Sequence, residues 1–151
     1  MSFRLLFLLI SWASCGFAQA APATALSFDD AWLSATPPGA EVGSGYAELR
    51  NTSSKPLRIV SITSPAAESV EVHSMTMDGG VMRMRMLDAV VIPAKGLLKL
   101  EPGGQHLMLM GLQAPLVDGQ KIPLKFKLAD GRTATVRFMV RSERANQAHA
   151  H

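Results

Sequence analysis

The feature that most constrains this chain is the rhythm of its middle. Between Phe28 and Val140, short apolar-alternating runs are broken at regular intervals by Gly, Pro, Asn and Asp clusters. Phe28 to Ser34 precedes Pro37-Pro38-Gly39. Ser44 to Arg50 is closed by Asn51-Thr52-Ser53-Ser54. Leu57 to Thr63 follows, and Ser69 to Met77 and Val81 to Leu87 flank Asp78-Gly79-Gly80. Leu97 to Leu100 is short, Pro102-Gly103-Gly104 precedes His106 to Leu112, and Lys121 to Leu128 and Arg132 to Val140 flank Asp130-Gly131. No segment keeps a helical period. The pattern predicts one all-β domain, a sandwich of short strands over residues 21–140. Pro123 cannot donate to a ladder, so its strand is expected at a sheet edge.

The ends read differently. Arg4, the apolar run from Leu5, and Ala18-Gln19-Ala20 form a secretory signal peptide over residues 1–20. The apolar run is too short for a membrane span, and none is expected later. Trp12-Ala13-Ser14-Cys15 loosely resembles a lipoprotein box, so lipidation of Cys15 is a minor alternative. Cleavage after Ala20 removes the single cysteine, so the fold relies on its apolar core, without a disulfide. The mature chain keeps 14 Lys+Arg against 12 Asp+Glu, or +2. That scattered surplus does not argue for nucleic acid. Residues 141–151 lose the alternation and read as a flexible tail ending in Ala148-His149-Ala150-His151.

The segment "VEVHSMTMDGGVMRMRML", residues 70–87, holds one histidine and five methionines. A hairpin centred between Asp78 and Gly79 would set His73 opposite Met84 and Met75 opposite Met82. Met82, Met84 and Met86 would share a face that excludes Arg83 and Arg85. A second cluster, His106-Leu107-Met108-Leu109-Met110, would place His106, Met108 and Met110 together on one strand face.

Thioethers are neutral, polarizable donors that suit Cu(I) and bind hard cations poorly, and imidazole adds a neutral nitrogen. Two of each can close a tetrahedral shell around a d¹⁰ ion, whereas zinc normally recruits thiolate, carboxylate or more histidine. Methionine is also common core filler, so bunching alone does not say which sulfurs bind.

The spacing resembles that of the PCu(A)C copper chaperones: a His, ten residues, a Met, twenty-one residues, then His-x-Met. His73, Met84, His106 and Met108 stand at those positions. "DAWLSATPPGAEVGSGYAELRN" (30–51) and the stretch from Ile92 to Val140 look like the family's remaining strands. The resemblance implies a cupredoxin-like Greek-key β-sandwich binding one Cu(I) through those four residues. It also implies periplasmic delivery of copper by ligand exchange to the dinuclear site of cytochrome c oxidase, on its subunit II or through another assembly factor. Met75, Met77, Met82, Met86 and Met110 fall outside the motif and read as a soft rim or as plain packing. Some relatives carry a His/Met-rich extension for a second copper. His149 and His151 are a thin version of it, so weak Cu(II) capture there stands against a plain disordered tail.

Other functions fit less well. A blue-copper carrier needs a cysteine ligand, a hydrolase needs a nucleophile beside a base, and neither is found in the mature sequence. No enzyme activity is expected. The alternative within copper biology is a buffering or resistance protein with no oxidase target, whose ligand set would look the same.

Overall fold

The computed structural model describes residues 25–142. The signal-peptide and Cys15 readings, and the histidines of the tail, lie outside the described residues. Ten strands and no helix occur among those residues. They are β1 (Leu26–Ser34), β2 (Val42–Asn51), β3 (Leu57–Thr63), β4 (Ala67–Asp78), β5 (Val81–Leu87), β6 (Val90–Ile92), β7 (Leu97–Leu100), β8 (Gln105–Leu112), β9 (Lys121–Leu128) and β10 (Thr133–Arg141). The all-β, single-domain expectation holds. Only Val90–Ile92, too short to show an alternation, was not anticipated.

The strands run in the order β5-β4-β8-β2-β1-β10-β9-β3-β6, with β7 on β2. β1 pairs parallel with β10 and antiparallel with β2. A single bridge, Ile62 to Val70, joins β3 to β4 and closes seven strands into a flattened barrel. Closure leaves β5 as a free edge beyond β4.

Alternation decides what fills the interior. Leu33, Leu49, Leu107, Leu109, Leu124, Phe126, Phe138 and Val140 are fully buried. Phe126 packs between Phe28 and Phe138, at ring-centroid distances of 4.7 and 6.2 Å. Burying a side chain of this size stabilises by about 1.5–3 kcal/mol. On the two strands that matter most below, Val70 and Val72 of β4 and Leu107 and Leu109 of β8 point into this core. The residues between them therefore face outward.

The expectation for Pro123 needs correction. Its strand, β9, is not an edge, because it pairs with both β10 and β3. The β3 ladder stops at Thr63 opposite Lys125, so Pro123 lies past its end. There the Ser64 hydroxyl donates to the Pro123 carbonyl at 2.9 Å. The missing N–H is tolerated because β3 has ended, not because the strand lies outside.

Candidate metal centre

The β4–β5 turn lies one residue further along the chain than the sequence suggested. Asp78 pairs with Val81, leaving Gly79 and Gly80 alone in the loop with φ of 57° and 81°. Two consecutive positive φ values define the turn that best matches strand twist, and glycine adopts both without strain. The expected register is therefore displaced. His73 stands opposite Met86, not Met84, and Met75 stands opposite Met84, not Met82. The partner moves by two residues, so the expected face is preserved. Had the slip been one residue, every methionine of β5 would point the other way.

β8 supplies the second cluster. It pairs with β4 so that His106 stands opposite His73, and Met108 opposite Glu71. The imidazole centroids are 6.2 Å apart, with planes tilted by 36°. One row thus crosses three strands: His106 on β8, His73 on β4, Met86 on β5. Met108 lies one diagonal step from His73 on one side of the row, and Met84 lies one diagonal step away on the other. All four residues of the His-Met-His-Met motif share the outer face. The structure brings the histidines into direct register and flanks them with the two methionines. Met110 is further out, opposite Ser69.

The protonation pattern of the two rings follows from their neighbours. His106 is buried, and its Nδ1 lies 3.2 Å from the carbonyl of Gly104. A carbonyl only accepts, so Nδ1 carries the hydrogen and Nε2 keeps its lone pair. His73 is set the other way. Its Nε2 lies 2.8 Å from Oε2 of Glu71 and donates to that carboxylate. Its Nδ1 is buried with no hydrogen-bond partner among the described residues. A buried, unpartnered imidazole nitrogen costs about 1–3 kcal/mol, which binding of a cation would relieve. In each ring one nitrogen is thus tied to an acceptor and the other has no hydrogen-bond partner among the described residues, the arrangement usual for metal-ligating histidines.

No three His, Cys, Asp or Glu side chains converge as a metal site among the described residues. The thioethers of Met84, Met86 and Met108 share the outer face with His73 and His106, and thioethers suit soft ions better than hard ones. Two neighbours of His73 were not placed by the sequence reading. Glu71 was legible, since a strand carries residue i−2 on the same face as His73. The place of Met86 directly across from His73 was not, because it depends on the turn.

The chain is similar to several known proteins. The family model described as putative lipoprotein LpqE-like matches residues 26–140. The putative lipoprotein Lxx21020 of Leifsonia xyli subsp. xyli is 38% identical over 112 residues, covering 74% of this chain. The chain spans 66% of that relative's length. Among solved structures, Cu(I)-bound DR1885 of Deinococcus radiodurans is 36% identical, with a TM-score of 0.62 and 83% of each chain covered. The copper-bound PCuAC domain from PmoF2 has a TM-score of 0.67, covering 79% of this chain and 94% of that domain. At 19% identity that second likeness bears on the fold alone, and it matches the cupredoxin-like expectation.

Proposed function

Because the chain belongs to the LpqE-like family, and because its two histidines meet in register beside thioethers, we propose that it is an exported copper carrier. It binds one Cu(I) tightly through His73, His106, Met84 and Met108 and releases it by ligand exchange to an acceptor, the dinuclear copper site of cytochrome c oxidase or a factor that assembles it. The observation that carries this reading is the His73–His106 pair, 6.2 Å between ring centroids, with one free nitrogen on each ring. The Cu(I) form of DR1885, at 36% identity, supports copper as the ion.

The chemistry suits a carrier. Two imidazoles and two thioethers give a neutral shell that matches a d¹⁰ monovalent ion and resists oxidation to Cu(II). One side of the shell, on β5, is exposed, with Met84 at 49%. Incoming ligands from an acceptor can therefore bind before the buried His106 lets go. Export follows from the signal segment at residues 1–20, and the lipoprotein names of the relatives lend weight to the Cys15 route.

Cu(I) titration against a competing chromophoric chelator tests the binding. One equivalent should be held far more tightly than any other, and the His73→Ala/His106→Ala variant should lose it while keeping its β-sheet circular dichroism. Retention of the tight equivalent would end this assignment. Delivery is tested in a deletion strain: loss of oxidase activity in low copper supports it, whereas sensitivity confined to high copper points to buffering.

A further inference from the structure

We propose that the outer half of the β4–β5 hairpin is a second soft-metal site. It is built from Met75, Met77 and Met82, with Met84 at its inner end, and takes a monovalent d¹⁰ ion. The register carries this inference. Met77 stands directly opposite Met82, and Met75 directly opposite Met84. Directly opposed Cβ atoms lie about 4.5–5.5 Å apart, and long side chains also reach across the diagonals. Alternation places all four on one face and turns Thr76, Arg83 and Arg85 to the other, so no cation competes there.

Packing does not explain these residues. Met77, Met82 and Met84 are 71%, 59% and 49% exposed. β4 pairs with β8 only as far as Ser74 opposite Gln105, so the rest of the hairpin projects as a two-stranded ribbon. Of the ten exposed large hydrophobic residues described, five lie on this hairpin, and four of the five are methionine. A surface shaped only for apolar contact would be served by leucine or valine. The chain instead repeats the one apolar side chain that carries a donor atom, on three torsions that let sulfurs converge.

The ladder also has a direction. From the Met77–Met82 pair, each step of two residues covers about 7 Å of strand, reaching Met75–Met84 and then Met86–His73. An ion taken at the exposed tip has soft donors along the whole route to His73. This site would collect the ion, and the inner centre would hold it.

The test uses the mature protein carrying [methyl-13C]methionine, titrated with Ag(I), an air-stable d¹⁰ surrogate. The wild-type chain should take up about two equivalents, with the methyl resonances of Met75, Met77 and Met82 shifting as well as that of Met108. The Met75→Leu/Met77→Leu/Met82→Leu variant should lose one equivalent and keep the Met108 shift. The inference is overturned if that variant binds as much Ag(I) as wild type, or if the three hairpin resonances never move. A silent Met108 beside shifting hairpin resonances would count against the inner centre instead and leave the outer site standing.

Discussion

Glu71 and His73, two residues apart on the same face of β4, meet at 2.8 Å between carboxylate oxygen and Nε2. The pair sits inside the His–Met cluster, with Glu71 opposite Met108 and His73 opposite His106. It engages Nε2 of His73 and leaves Nδ1 as the nitrogen without a hydrogen-bond partner among the described residues. It also places a carboxylate within the His–Met cluster.

Removing that support should loosen copper binding without unfolding the chain. Glu71→Ala is expected to weaken Cu(I) binding about 10–100-fold, the usual effect of losing the acceptor behind a ligating histidine. Glu71→Gln keeps an acceptor oxygen and should retain most of the affinity. Equal losses in the two variants, by competitive titration, would mean that the carboxylate does more than orient the ring.

The hairpin register sets up a contest between Met84, at the motif position, and Met86, directly across from His73. With Met84 and Met108 as ligands, Met84→Leu and Met108→Leu should each weaken the tight Cu(I) site by at least about tenfold. Met86→Leu should change it little. X-ray absorption at the copper edge, counting sulfur neighbours in each variant, separates the two. A loss of sulfur in Met86→Leu alone would reassign the ligand.

The turn itself can be tested. Gly80 sits at φ 81° with open space around its missing Cβ, so substitution there costs backbone strain rather than a clash. Gly80→Val should destabilise the chain by about 1–2 kcal/mol. Gly79→Asn should be close to neutral, because asparagine accepts that conformation. Chemical denaturation reads both, and the first should also weaken copper binding by disturbing the register.

Asn51 offers a control remote from the metal. Fully buried at the end of β2, its amide donates to the carbonyls of Lys55, Ile92 and Pro93, and its Oδ1 accepts from Ser53. Asn51→Ala removes these bonds, while the Lys55 and Pro93 carbonyls keep the Ser53 hydroxyl and the Gly96 N–H, and should cost about 1–3 kcal/mol, with the Cu(I) affinity of the folded fraction unchanged.

At the β9–β10 turn, Arg132 holds the Asp130 carboxyl below its ordinary value, first through the side-chain hydrogen bond and then through its backbone N–H. A carboxylate lowered in the folded state stabilises above its unfolded value of 3.8, and that contribution fades as pH falls through the lower folded value. Asp130→Asn should therefore be slightly less stable than wild type at neutral pH, and the gap should close in strong acid. Urea midpoints across pH measure it.

The strands themselves were legible because alternation and turn chemistry act within a few residues. β3, β5, β7 and β9 fall at the expected bounds, and the Gly-Gly and Asp-Gly turns lie where glycine was needed. That His73 and Met84 share a face, and that His106 and Met108 do, was legible too, since parity along a strand survives any even shift of register; that the two pairs share one outer face was not. Pro123 was misjudged because its exemption depends on where β3 happens to stop.

By itself, then, the sequence determined the class of fold and the supply of imidazoles and thioethers, since both are properties of side-chain type and local order. Only the assembled barrel decided that His106 of β8 lies against His73 of β4, which ring nitrogen each histidine leaves open, and that Met86 rather than Met84 stands across from His73. Those relations depend on how distant strands align, and a turn displaced by a single residue is enough to change them.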